Sequence, residues 1–259
     1  MKVVLFCGGY GTRLREYSEV VPKPLVNIGY RPIIWHLMRY YAHFGHKDFI
    51  LCLGYKGDMI KEYFLNYNEC MSNDFTMSRG GKDIKLAKSD IEDWNITFVD
   101  TGLISNIGQR LVAVKEHLKD EEMFMANYSD GLSDLNLDTY IENFKSKDAT
   151  ASFISVRPSQ SFHAVTSDDS GIVETIEHVG GSDFWINGGF MILKNDIFDF
   201  IEDGDELVEA PFQRLIPQKK LLAYKYTKFW KAMDTFKDKK SFDALNESGN
   251  TPWAVWNDK

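Results

Sequence analysis

Five consecutive apolar residues, Val3-Val4-Leu5-Phe6-Cys7, run straight into Gly8-Gly9-Tyr10-Gly11. An unbroken apolar run this short suits a strand buried on both faces, the situation of a central parallel strand. The pattern then repeats. After Pro32, the residues Ile33, Ile34, Leu37, Met38 and Tyr41 recur at helical spacing, and Gly45 closes the helix. Residues 48–53 read as a second buried strand and 56–67 as a second helix. Parallel strands need crossover connections, so this alternation predicts an α/β fold. The expected form is Rossmann-like, a doubly wound and mostly parallel sheet.

Residues 68–93 interrupt the rhythm with Asn, Ser, Asp and Gly80-Gly81, and read as an irregular excursion or hairpin. Strands follow at 96–99 and 123–126, with helices at 111–118 and 137–145. The second half is richer in strands, at 150–156, 173–179, 185–193 and 221–226, with helices at 211–216 and 236–246. No repeat, low-complexity tract or linker divides the 259 residues. The reading is a single domain with a nucleotide-binding core at about 1–135. A β-rich acceptor-binding lobe at about 150–235 is added to it, and a C-terminal helix lies within about 236–259.

The glycine run carries chemistry because it follows a strand. Strand carboxyl ends are where open α/β sheets take ligands, and backbone amides without a Cβ can approach a phosphate closely. Arg13 offers a fork of donors suited to phosphate oxygens. Lys23 lies between Pro22 and Pro24, so its backbone is restrained and its charge is placed in advance. The loop lacks the Gly-Lys-Ser/Thr of a Walker A motif, and its spacing is not Gly-x-Gly-x-x-Gly. A Gly-Gly-x-Gly alone is also explained by a tight turn; its combination with Thr12-Arg13-Leu14 and Pro22-Lys23-Pro24 is far more specific.

These two segments resemble the signature of the sugar nucleotidyltransferases, which join a nucleoside triphosphate to a sugar 1-phosphate and release pyrophosphate. The resemblance extends over nearly the whole chain. It includes Gly54-Tyr55-Lys56-Gly57, Val99-Asp100-Thr101-Gly102, Ser129-Asp130-Gly131, Ile186-Asn187-Gly188-Gly189-Phe190 and Met233-Asp234-Thr235. Several of these runs resemble the cytidylyl branch, which implies CTP as the nucleotide. The implied acceptor is a sugar 1-phosphate, glucose 1-phosphate first. Another phosphorylated acceptor, or a silent nucleotide-binding homologue, are the alternatives. The resemblance places Phe6, Gly8, Gly9, Tyr10, Gly11, Thr12, Arg13, Lys23, Ser105 and Arg110 at the nucleotide. It makes Asp130 and Asp234 ligands of Mg²⁺, and Arg13, Lys23, Asp130 and Asp234 the catalytic set. Taken alone, Asp130 before glycine also suits a turn, Asp234 before a helix suits an N-cap, and Arg110 suits an exposed helix start.

The acceptor side departs from the family pattern. Where hexose-phosphate relatives carry Glu-Lys-Pro, this chain has Glu177-His178-Val179, and where they carry Phe-Gly it has Phe162-His163. His163, Glu177, His178, Asn187, Gly188 and Trp230 are the expected acceptor-side residues. Both histidines read equally well as ordinary strand residues.

A net charge of −8 argues against a broad nucleic-acid surface. No apolar run nears the ~20 residues of a membrane span, and the short apolar start does not resemble a signal peptide. A cytoplasmic homo-oligomer is expected. Cys7, Cys52 and Cys70 are odd in number and far apart, so no disulfide or metal framework is suggested, and Cys7 and Cys52, in strand-like apolar runs, read as buried core residues.

Overall fold

The structure, a computed structural model, describes residues 1–10, 20–158, 162–181 and 183–257. The expectations placed on Gly11, Thr12 and Arg13 lie outside the described residues.

The main sheet comprises β1 (Val3–Phe6), β2 (Asp48–Leu53), β3 (Asn95–Asp100), β4 (Met123–Tyr128), β5 (Ala151–Val156), β6 (Ile186–Asn187), β7 (Met191–Lys194) and β8 (Leu221–Tyr226). The strand order is β6-β5-β7-β4-β1-β2-β3, with β8 also paired to β5. β1 runs parallel between β2 and β4, and β3 continues the parallel set beside β2. β7 is antiparallel to β4, and β5 is antiparallel to β7 but parallel to β8. The strand-rich second half therefore extends the same sheet. It also adds a separate hairpin, His163–Ser167 with Val173–His178, whose residues are largely exposed.

Strand periodicity explains why the sheet is sandwiched. Val3, Leu5, Phe49 and Leu51 face one buried cluster, and Val4, Phe6, Ile50 and Cys52 face another. Against the first pack α1 (Ile33–His43), α2 (Gly57–Leu65) and α4 (Leu137–Lys145). Against the second pack α3 (Ile107–Ala113) and α5 (Ala210–Leu215). α6 (Phe236–Glu247) returns to the first through Phe242. No helix among the described residues is long and apolar enough to cross a membrane.

Two expected boundaries change. The helix expected at 111–118 begins earlier, because Asn106 and Gln109 form a reciprocal capping box that fixes the start at Ile107; Lys115–Leu118 is a 3₁₀ turn. The strand expected at 185–193 is broken between β6 and β7. Gly189 sits at φ 74°, and a Cβ there would stand 2.4 Å from Asn127 Oδ1. The same oxygen accepts the Phe190 amide at 3.0 Å, so the chain kinks around one buried asparagine. Cys7 and Cys52 are buried core residues, as expected.

The C-terminal segment is fastened through His36. Its Nε2–H donates to Ile28 O at 3.0 Å, which leaves Nδ1 to accept from Trp253 Nε1 at 3.3 Å. Burial pushes the imidazole pKa down to about 4.

Candidate active site

Lys23 opens a short 3₁₀ turn, Lys23–Leu25, between its two prolines. The Leu25 amide bonds Pro22 O at 2.8 Å and the Val26 amide bonds Lys23 O at 3.1 Å, so the backbone that carries the ammonium is fixed. Asp130 lies two residues beyond β4, at the carboxyl edge of the sheet. Asp234 arrives from far along the chain. Gly131–Ser133 pairs antiparallel with Trp230–Ala232, and the Met233 amide bonds Asp130 O at 2.8 Å. That two-stranded ladder sets the two aspartates side by side. Thr235, not Asp234, is the N-cap of α6 and shares a capping box with Asp238.

Lys23 Nζ stands between them, 2.5 Å from Asp130 Oδ2 and 2.7 Å from Asp234 Oδ1. All three side chains are at most a quarter exposed. Burial alone would lower the lysine pKa, but the two carboxylates outweigh it and raise the pKa above its usual value. The catalytic set expected from the sequence is thus brought together for its three described members.

Arg110 has a different character from the surface residue that its sequence context also allowed. It is 3% exposed. Nη1 donates to Leu53 O (3.1 Å), Thr101 Oγ1 (2.7 Å) and Gly102 O (3.0 Å), and Nη2 donates to Gly8 O (3.1 Å). One guanidinium therefore ties the glycine loop, the end of β2 and the loop after β3 into one rim. Gly8 is glycine for this reason: a Cβ would lie 2.1 Å from Arg110 Nη1. At Gly9 the space is open, and a phosphate could reach the backbone there.

These parts border a cleft of about 300 Å³. Of the expected nucleotide-side and catalytic residues, Phe6, Gly8, Gly9, Lys23, Ser105, Arg110 and Asp130 line it; Tyr10 is not among the lining residues, and its ring lies tilted at 39° against Tyr55, centroids 5.2 Å apart. Tyr128, Ile107 and Glu206 also line it. Glu206 carries no sequence signal, since it lies in an acidic surface-like run, Glu202-Asp203-Gly204-Asp205-Glu206. Cys7 borders the cleft too, but burial pushes its thiol pKa up to about 12, so it is no nucleophile at neutral pH.

The acceptor-side residues divide into two groups. Asn187, Gly188 and Trp230 lie together: Trp230 Nε1 donates to Gly188 O at 2.8 Å, and Asn187 Oδ1 accepts the Gly189 amide at 2.9 Å. His163, Glu177 and His178 sit on the exposed hairpin and are not among the cleft residues. The two histidines are cross-strand partners with rings 5.6 Å apart, and His178 Nδ1 accepts the Gly180 amide at 3.1 Å.

No group of three or more His, Cys, Asp or Glu residues among those described is placed to hold a metal ion. The Asp130–Asp234 pair can nevertheless serve a divalent cation. Its two oxygens already converge on one positive charge, and Mg²⁺ commonly takes one or two carboxylates with the rest of its shell from phosphate and water.

Residues 2–253 match the family model described as nucleotidyl transferase. Glucose-1-phosphate cytidylyltransferase of Salmonella typhi is 40% identical over 99% of this chain and 100% of its own length. Mannose-1-phosphate guanyltransferase of Yarrowia lipolytica is 26% identical over 92% of this chain and 62% of its own. Among solved structures, UDP-glucose pyrophosphorylase complexed with UDP-glucose superposes with a TM-score of 0.69 at 14% identity, covering 96% of this chain and 98% of that one. At that identity the likeness speaks for the fold, a Rossmann-like α/β sheet. The sequence matches go further, and with them the chain is placed as an enzyme of the nucleotidyl transferase family.

Proposed function

We propose that this enzyme transfers the cytidylyl group of CTP to glucose 1-phosphate, giving CDP-glucose and pyrophosphate. The observation that carries the phosphate-transfer part is Lys23, fixed between prolines and flanked by two convergent carboxylates at the mouth of the glycine-loop cleft. The end-to-end 40% identity to the Salmonella typhi cytidylyltransferase supports the choice of substrates.

The acceptor's phosphate oxygen attacks the α-phosphorus. A new P–O bond forms, the bond to the β-phosphate oxygen breaks, and pyrophosphate leaves with the electron pair. The attacking group is already anionic at neutral pH, so no general base is required. Catalysis is then positioning and electrostatics. Lys23 holds phosphate oxygens at the reacting centre, and Arg13 steadies the pyrophosphate. The open backbone at Gly9 receives the triphosphate, and Arg110 keeps the loop in shape behind it. A divalent cation on Asp130 and Asp234, Mg²⁺ in this reading, supplies neutralisation of the phosphate charge.

The cleft at about 1–135 is the nucleotide side. Residues at about 150–235 are the acceptor side, with Asn187, Gly188 and Trp230 nearest the cleft. The enzyme works in the cytoplasm as a homo-oligomer.

Pyrophosphate release with CTP, Mg²⁺ and a panel of acceptor phosphates tests the proposal. Glucose 1-phosphate should give the highest kcat/KM. Preference for UTP or dTTP over CTP would sink the nucleotide assignment. A second acceptor is favoured by one observation, the histidine that replaces a lysine at 178; higher kcat/KM with another sugar or polyol phosphate would establish it. Asp234→Ala should abolish turnover with the fold intact, and near-normal rates with Mg²⁺ would refute the metal pair.

A further inference from the structure

Part of the cleft lining comes from the start of α3 and the loop packed on it. Ser105, Ile107 and Arg110 form one side of this part and Glu206 the other. Glu206 is anchored by one carboxylate oxygen only: Oε2 accepts the backbone N–H of Ile107 at 3.0 Å. Among the described residues no donor meets Oε1. The chain around Glu206 is held firmly. Asn106 Nδ2 donates to Gly204 O at 2.9 Å, and Gly108 packs so closely that a Cβ would stand 2.2 Å from Asp205 O. A carboxylate with unused lone pairs is therefore presented at a fixed place in the cleft wall.

Arg110 presents the opposite chemistry. Nη2 makes one bond to a described residue, to Gly8 O, so this nitrogen retains a donor. Ser105 is already engaged, since its hydroxyl donates to Thr101 O at 2.6 Å. The cleft lining thus holds both a fixed acceptor, Glu206 Oε1, and a fixed donor, the Arg110 guanidinium. Cytosine is the complementary pyrimidine: it carries an amino donor at C4 and a carbonyl acceptor at C2. Carboxylates accept readily from the cytosine amino group. Uracil and thymine place a carbonyl oxygen at C4, which would meet the carboxylate as acceptor against acceptor.

Resting on the cytidylyl reading, we infer that Glu206 selects the base, its free carboxylate oxygen accepting the exocyclic amino group of the nucleotide. Arg110 then serves two ends, bracing the glycine loop and giving the base carbonyl its donor. Sites built to bond a particular hydrogen discriminate strongly against the analogue that lacks it, because the buried partner is left unpaired.

The test compares CTP and UTP in the wild type, Glu206→Gln and Glu206→Ala, with kcat/KM from pyrophosphate release and Kd from calorimetry on the Mg²⁺–nucleotide. Glu206→Gln keeps an acceptor for the Ile107 amide and gives the base an amide that can donate, so it remains informative if the alanine variant is unstable. The wild type should favour CTP by about 10²-fold or more. In Glu206→Ala the CTP value should fall by about 10- to 100-fold with UTP little changed. In Glu206→Gln the CTP:UTP ratio should drop and UTP use should rise. An equal loss with both nucleotides would overturn the inference, because it would assign Glu206 to the ribose or to the loop alone. An unchanged CTP:UTP ratio in both variants would overturn it while leaving cytidylyl transfer standing. A wild type that used UTP as well as CTP would refute the cytidylyl reading itself.

Discussion

Replacing Lys23 with methionine removes one charge and little volume. Nζ lies 2.5 and 2.7 Å from its two carboxylate oxygens, so those oxygens are no more than about 5 Å apart. In Lys23→Met they lose the ammonium that stands between them. At an effective dielectric of about 20, two like charges at about 5 Å repel by about 3 kcal/mol. The side chains are 14% to 25% exposed, so water screens this only in part. We expect Lys23→Met to lose about 3 kcal/mol of stability at pH 7 and low salt, read as the midpoint of urea unfolding. A divalent cation should take the place of the ammonium. Millimolar Mg²⁺, with no nucleotide present, should restore most of the loss in the variant and hardly shift the wild type. Adding Asp234→Asn to the variant should restore stability without metal, because one carboxylate then remains. Equal stability of wild type and Lys23→Met, or equal stabilisation of both by Mg²⁺, would show that the three side chains do not form one electrostatically coupled unit.

Other outcomes follow from the same contacts. Gly8→Ala places a methyl 2.1 Å from the Arg110 guanidinium, so it should cost about 1–3 kcal/mol in thermal unfolding and weaken CTP binding in calorimetry. His36 is held near 4 in the fold against an ordinary 6.5, chiefly by burial, with the bond to Ile28 O opposing and the neighbouring Arg31 charge acting with burial. Its neutral form stabilises fully above pH 6.5, and that contribution is lost as pH falls from 6.5 to about 4, by about 3 kcal/mol in all. His46, also held near 4 by burial, adds to the slope, so the difference between wild type and His36→Gln across pH 4–7 isolates the effect. His178→Lys should raise kcat/KM for glucose 1-phosphate if this position reads the acceptor phosphate; no change with any acceptor would leave His178 as an ordinary hairpin residue.

The first third of the fold was legible because its signals are local. The apolar run 3–7, the periodicity after Pro32 and the buried strand at 48–53 each contain their own evidence. Lys23 and the two aspartates were legible through motif resemblance, not through spacing, since 107 and 211 residues separate Lys23 from its partners. What escaped was set by tertiary context. The break between β6 and β7 answers to Asn127, more than sixty residues away and unmarked in sequence. Gly8 reads as a phosphate-approach glycine, and nothing in the sequence signals that its missing Cβ also makes room for the Arg110 guanidinium. Glu206 enters the cleft only because Asn106 and Gly108 draw its loop against α3.

The ladder between Gly131–Ser133 and Trp230–Ala232 also governs when the enzyme becomes an enzyme. Lys23 and Asp130 are synthesised early, yet Asp234 reaches them only after this late, long-range pairing closes. Contacts of such sequence separation form slowly, since loop closure precedes any gain from them. A nascent chain made only as far as β4 therefore still lacks half of the carboxylate pair. The carboxylate pair is complete only with the last fifth of the chain, however early Lys23 and its turn are in place.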